Sequence, residues 1–198
     1  MPALASMRDA MQHPRMNREW NLAGQLAEWR GREPGEEAAT AAFATLAAEG
    51  DIAYRREREA GHFTASCWLV SGDGMRVLLT HHRKLGRWLQ LGGHADGDAD
   101  LARVALREAE EESGLKGLRI EPTIFDLDRH WIPAHKGVPG HWHYDVRFVI
   151  HAGDEEAFVV GEESLDLAWR GIGEVAADES MDPSLRRMAR RWLARRNG

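Results

Sequence analysis

Cysteine is nearly missing: Cys67 stands alone among 198 residues, which excludes an intrachain disulfide and leaves nothing that calls for an oxidising compartment. Long apolar runs are missing as well. No stretch approaches the roughly 20 residues that a spanning helix needs, and the first twenty residues, with Arg8, His13, Arg15 and Arg18, are too polar for a secretory leader. The expectation is a soluble, unprocessed, cytoplasmic protein. Basic charge is in deficit, with 26 Lys and Arg against 32 Asp and Glu and a net charge of -6. Such a surface repels a phosphate backbone, so broad nucleic-acid binding is disfavoured, while one nucleotide can still enter a local basic pocket. Internal repeats and low-complexity segments are also lacking. What is present, 43% hydrophobic and 29% charged residues, is the composition of a chain that fills its own core, and the length suits one domain plus an appendage rather than a large multidomain machine.

Residues 1–60 read as a helical extension. Trp20, Leu22, Ala23, Leu26, Ala27 and Trp29 recur at near-helical spacing, and a Gly-Arg-Glu-Pro-Gly break at 31–35 separates them from an alanine-rich helix, Glu36 to Ala48. From Gly61 the pattern turns to short β-like runs. Thr64 to Val70 and Met75 to Thr80 are joined by Ser71-Gly-Asp-Gly74, whose glycines tolerate positive φ. A helix is expected from about Ala99 to Ser113, with Gly114 as its stop. Strands are expected at Ile120 to Leu127, His141 to Ile150 and Ala168 to Ile172, and a last helix at Ser184 to Arg195. Irregular alternation of this kind predicts a mixed α+β domain over 61–198.

The segment Arg107-Glu-Ala-Glu-Glu-Glu-Ser-Gly-Leu115 carries the chemistry. On a helix Glu111 and Glu112 lie one turn after Glu108, so three carboxylates share a face and Glu110 points elsewhere. Like charges at these spacings, close to the negative end of the macrodipole, are unfavourable twice over. A solvated acidic face is one reading. The other is a hard dication, which takes oxygen ligands and keeps part of its water shell, beside the Gly92-Gly93 pair whose backbone has no Cβ in the way.

The spacing Gly93, Arg107-Glu108, Ala109, Glu111-Glu112, Gly114-Leu115 resembles the signature of the Nudix hydrolases, matching eight of its nine specified places over Gly93 to Leu115. The resemblance implies a Nudix-like α/β/α sandwich with a mixed sheet over 61–198, with strands before this helix and a Trp-bearing strand after it, like that of Trp169. The N-terminal helical hairpin lies outside it. It further implies that Glu108, Glu111 and Glu112 bind Mg2+ or Mn2+, with the Gly92 carbonyl as a fourth contact and Arg107 orienting them, and that a late acid, Glu163 or its neighbour Glu162, serves as a further ligand or base. The general base stays open among Glu108, Glu112 and Glu163. Hydrolysis of a diphosphate linkage in a nucleoside-diphosphate-type substrate is the implied activity. One place departs: Ala99 stands where the family has a glutamate that holds the arginine and the ligands, with Asp100 and Asp98 as candidate stand-ins. That departure motivates the alternative of a catalytically weak or inactive nucleotide-binding or sensor module. Isoprenoid diphosphate isomerase chemistry, also known in this fold, does not suit the position of Cys67.

Outside the signature, alternation along His141 to Phe148 puts Trp142, Tyr144, Val146 and Phe148 on one face and His141, His143, Asp145 and Arg147 on the other. His141, His143 and Asp145 together suit zinc, but contact with substrate or support of the site is the favoured reading of His143 and Asp145. Arg83, Lys84 and Arg87 precede the glycine pair and suit phosphate, with Lys84 and Arg87 taken as the contacts. Trp131, expected in a loop, offers a face for a nucleobase. Trp68, Trp192 and Cys67 read as packing. The N-terminal hairpin is expected either to cap the cleft or to form a homodimer contact.

Overall fold

The computed structural model describes residues 20–33, 35–135, 137–153, 156–161 and 164–197. Two helices open it, α1 (Leu22–Arg32) and α2 (Glu37–Ala47), followed by a 3-10 turn at Gly50–Tyr54. α1 starts where the Asn21 side chain accepts the Gly24 N–H at 2.7 Å, satisfying one of the first-turn donors that a helix leaves unpaired. Next come strands β1 (Gly61–Val70), β2 (Arg76–His82), β3 (Arg87–Leu89) and β4 (Gly92–His94), helix α3 (Leu101–Ser113), and strands β5 (Arg119–Ile132), β6 (His141–His151) and β7 (Ser164–Gly171). Helices α4 (Ile172–Ala177) and α5 (Pro183–Asn197) close the chain.

The seven strands form one mixed sheet in the order β3-β2-β1-β6-β5, with β4 also on β1 and β7 also on β2. β1 and β6 are parallel, His62 facing His143 and Thr64 facing Asp145, and every other pairing is antiparallel. β1 is buried along its whole length because both its faces are covered. Phe63, Ala65, Cys67 and Leu69 meet α3 through Val104, Ala105 and Ala109, and Trp68 and Val70 meet α5 through Leu185, Met188 and Trp192. The result is the expected α/β/α sandwich.

The described part of the N-terminal hairpin packs into the same core. Leu22, Leu26, Trp29, Phe43 and Leu46 cluster with Phe63, Val104 and Phe148. The apolar side chains of the hairpin are thus turned inward. Other expectations shift in detail. α3 begins at Leu101 because Asp100 caps it, accepting the Arg103 N–H at 3.0 Å. β7 begins at Ser164, and Ile172 already belongs to α4. Trp131 lies in β5, paired with Trp142 of β6, rather than in a loop: the long β6 template carries β5 on to Ile132.

A buried ionic network ties β5, β6 and α5 together. Arg147 is 2% exposed and pairs with Asp145 at 2.7 Å, Asp128 at 3.2 Å and Asp126 at 3.4 Å. Arg187 reaches Asp126 and Asp128 at 2.6 and 2.9 Å, and Arg191 also pairs with Asp126. Burial alone raises the Asp128 carboxyl, but the hydrogen bond to His130 and the Arg147 and Arg187 guanidiniums overcome it and hold the group well below the usual carboxylate range. A carboxyl depressed in the fold contributes stability above its unfolded pKa and loses it as pH falls through the folded value. Urea unfolding is therefore expected to show stability falling below about pH 4, with a smaller drop in Asp128→Asn. An equal drop in both proteins would remove Asp128 as the cause.

Candidate functional site

β4 and α3 build the site. The Ala95 N–H donates to the Phe63 carbonyl and the Cys67 N–H to the Leu91 carbonyl. In an antiparallel ladder this leaves Gly92 and His94, opposite Ser66 and Thr64, at positions whose carbonyls turn away from β1. The turned-out His94 carbonyl accepts the Arg107 Nη2–H at 3.4 Å, and the Gly92 carbonyl lies on the same edge.

A Cβ at either glycine would meet close neighbours. A Cβ on Gly92 would collide with the Ser66 Cβ, and one on Gly93 would lie 2.5 Å from Glu108 Oε2. The Glu108 carboxylate therefore occupies the place of the missing Gly93 side chain. Its other oxygen accepts the Arg107 Nη2–H at 2.8 Å. Glu112, one turn on, is half-buried like Glu108, and Glu111 is exposed. The helix stops at Gly114 with φ 71°, a left-handed cap that glycine takes without strain.

Cys67 lies behind this edge, fully buried. Burial pushes its thiol up, and the charges of Glu112, Asp145 and Glu108 add to the shift. A thiol held protonated is no nucleophile, in keeping with the packing role read from its sequence position.

Neither candidate stand-in takes the place left by Ala99, which is exposed. Asp100 is the α3 cap, and Asp98 accepts Arg103 Nη2–H and Nε–H at 2.7 and 2.9 Å. Asp98 acts on Arg107 only as a nearby charge; Arg107 is held by Glu108 and the His94 carbonyl. Glu162 and Glu163 lie outside the described residues. Arg83 donates to the Ser164 carbonyl at 2.9 Å, just beyond them.

The other candidates are spread out. Lys84 is exposed in the β2–β3 turn, Arg87 pairs with Asp182 at 3.2 Å, and Trp131 is half-exposed against Trp142. Asp145 is buried and enclosed, accepting from Thr64 at 3.0 Å, Ser66 at 2.7 Å, Gln90 at 3.3 Å and Arg147. It makes no approach to the histidines beside it in sequence. His143 meets His62 and His94 instead, their ring centroids 5.0 to 5.1 Å apart. Burial is the main cause that lowers all three imidazole pKa values, His94 to about 4 and His143 to about 2. His62 and His94 escaped the reading of the sequence, as did Arg56, whose guanidinium pairs with Asp96 at 2.6 Å and feels the charge of Glu108. A basic hollow of 660 Å³, lined among others by Trp29, Arg32, Phe125 and Arg191, shares no residue with the carboxylate edge.

The donors on the edge are all oxygen: the Glu108, Glu111 and Glu112 carboxylates and an outward Gly92 carbonyl. Donors of this kind suit a hard divalent ion rather than a soft one, whereas the group of three ligand atoms that lie within 4.8 Å of one another among the described residues is that of His62, His94 and His143.

The NUDIX domain model matches residues 61–192. Among solved structures, a MutT protein from Methanosarcina mazei Go1 superposes with TM-score 0.56 at 15% identity, over 71% of this chain and 99% of that one. A C. elegans Ap4A hydrolase in a binary complex gives TM-score 0.55 at 18% identity, over 69% and 98%. The E. coli dihydroneopterin triphosphate pyrophosphohydrolase gives 0.53 at 19% identity, over 67% and 95%. At these identities the likenesses show the fold. No curated protein matches the chain. With the family model covering most of the chain, over a sandwich whose β4–α3 edge carries the glycine and carboxylate pattern, the chain belongs to the Nudix family of pyrophosphohydrolases.

Proposed function

We propose that this protein hydrolyses a diphosphate linkage in a nucleoside-diphosphate-type substrate with Mg2+ or Mn2+. The observation that carries the reading is the Glu108 carboxylate seated in the space of the missing Gly93 side chain, one helical turn before Glu111 and Glu112. Glu108, Glu111, Glu112 and the Gly92 carbonyl would hold the ions, whose chemistry is to acidify a water and neutralise charge on the phosphoryl oxygens. Arg107 keeps one Glu108 oxygen fixed at 2.8 Å, so the carboxylate meets its work already oriented. Glu112 and Glu108 are half-buried and stand, with Glu163, as the groups that accept a proton from the attacking water. Arg56, Lys84 and Arg87 are the cations that can meet substrate phosphates, and the half-exposed Trp131 offers a face for the rest of the substrate. The family neighbours are named for substrates as unlike as Ap4A and dihydroneopterin triphosphate, so none of them supplies this chain's substrate.

The test is a panel of nucleoside diphosphate compounds incubated with Mg2+ or Mn2+ and read by product identity. Cleavage between phosphorus atoms in at least one compound, abolished by chelation, is expected. The alternative, a binding module, rests on Ala99, whose place neither Asp98 nor Asp100 fills. Calorimetric binding of a compound that the enzyme assay leaves intact would favour it. A second prediction concerns the cradle. Gly93→Ala sets a methyl 2.5 Å from Glu108 Oε2, which a flexible carboxylate yields to without unfolding. An unchanged melting temperature and a turnover lowered about 100-fold are expected, since a displacement near 1 Å is enough for that. Wild-type turnover in Gly93→Ala would break the link between this contact and catalysis.

A further inference from the structure

We propose that His62 of β1, His94 of β4 and His143 of β6 form a second metal site, built for a borderline transition-metal dication of the zinc class and separate from the carboxylate edge. Three imidazoles from three adjacent strands each offer a ligand atom, and these atoms lie within 4.8 Å of one another. Nitrogens around a tetrahedral zinc stand about 3.4 Å apart at Zn–N distances of about 2.05 Å, a contraction that small rotations of the rings supply.

Hydrogen bonds set the tautomers of His62 and His143. A carbonyl can only accept, so His62 Nδ1 carries the proton that meets the Arg58 carbonyl at 3.4 Å. This leaves the lone pair on Nε2, and Nε2 is buried with no hydrogen-bond partner among the described residues, on a side chain 2% exposed. An orphaned acceptor in that position costs stability unless something occupies it. By the same logic His141 Nδ1 donates to the Pro139 carbonyl at 2.9 Å. Its Nε2, 3.2 Å from His143 Nε2, must then accept, so His143 is protonated on Nε2 and keeps its lone pair on Nδ1. Ligating histidines commonly have their second nitrogen anchored in this way.

The donor set is all nitrogen. Asp145, the carboxylate nearest in sequence, is committed to Thr64, Ser66, Gln90 and Arg147. Without oxygen ligands the site does not suit magnesium, whereas imidazole suits zinc, cobalt or nickel and leaves a fourth position for water. It also lies across the strand from the Nudix edge. Gly93 turns its missing side chain to Glu108, while the neighbouring His94 turns to the opposite face of β4, with the His62 ring. A metal there would clasp β4, only three residues long, to β1 and β6.

The experiment titrates the metal-stripped full chain with Co2+ alone and reads visible d–d absorption. The expected result is the intense bands of a tetrahedral nitrogen site, saturating at one tetrahedral Co2+ per chain and bleached by Zn2+, whatever weakly absorbing Co2+ the carboxylate edge takes up. His143→Gln is expected to weaken binding at least about 100-fold, as is His94→Gln, each with an unchanged circular dichroism spectrum. Glu108→Gln and Glu112→Gln are expected to keep the tetrahedral bands, which separates this site from the hydrolytic one whether or not the protein cleaves any diphosphate. Absence of tetrahedral bands in the folded wild type, or bands that survive His143→Gln and His94→Gln, overturns the proposal. So does their loss in Glu112→Gln alone.

Discussion

Glu112→Gln is expected to remove metal-dependent diphosphate hydrolysis, lowering kcat about 1000-fold or more, some 4 kcal/mol of transition-state stabilisation, at saturating Mg2+. The substitution keeps the shape of the side chain and takes away only charge, so what is lost is the ability to hold a hard dication and to accept a proton. Glu111→Gln is expected to lose turnover in the same way. Its stability should move in the opposite direction. Glu108, Glu111 and Glu112 repel one another across one helical turn, and all three sit toward the negative end of the α3 dipole. Neutralising the exposed Glu111 relieves a few tenths of a kcal/mol for each such contact. A melting temperature equal to or above that of the parent, together with lost turnover, marks residues kept for function against stability. A solvated acidic face gives a different pair of results, with unchanged turnover in both variants, and that outcome would withdraw the carboxylates from the mechanism.

The parts of this site that could be read in advance are local. The run from Arg107 to Leu115 places its carboxylates by helical periodicity, and Gly114 announces the end of the helix by itself. The alternation along β6 was legible for the same reason, because side chains two apart share a face whatever the neighbours are. What stayed hidden depends on neighbours. β3 and β4 are three residues each, too short to show any period. The histidine cluster is hidden by topology, since nothing in the sequence says that β1 lies between β4 and β6. His143 and Asp145 look like partners on paper, yet Asp145 is turned to a buried arginine and His143 to rings drawn from 49 and 81 residues away in the chain. The stand-ins for the glutamate absent at Ala99 also rest on local spacing, and local demands take them: Asp100 caps α3 and Asp98 holds Arg103. Glu163 lies outside the described residues.

Arg147→Met is expected to cost about 3 to 5 kcal/mol of folding stability, the largest structural effect of any single change considered, against a total of roughly 5 to 15 kcal/mol for a domain. The argument is one of charge left behind. Arg147 is 2% exposed and is the cation that Asp145, Asp126 and Asp128 share. Asp126 and Asp128 keep Arg187 when it goes, but among the described residues Asp145 keeps only the neutral donors Thr64, Ser66 and Gln90 and becomes a buried anion without a counter-ion there. Methionine fills the volume, so a cavity is not the cause of the loss. Two measurements separate the electrostatic origin from mere mispacking. Adding Asp145→Asn to Arg147→Met should restore stability, with a coupling of about 1 to 3 kcal/mol in the double-mutant cycle. Lowering the pH should narrow the gap between the variant and the parent, because an uncompensated carboxylate escapes its penalty by taking a proton. A single variant within 1 kcal/mol of the parent in urea unfolding, or a cycle that is additive, would mean that the arginine is dispensable and that packing alone joins β6 to α5.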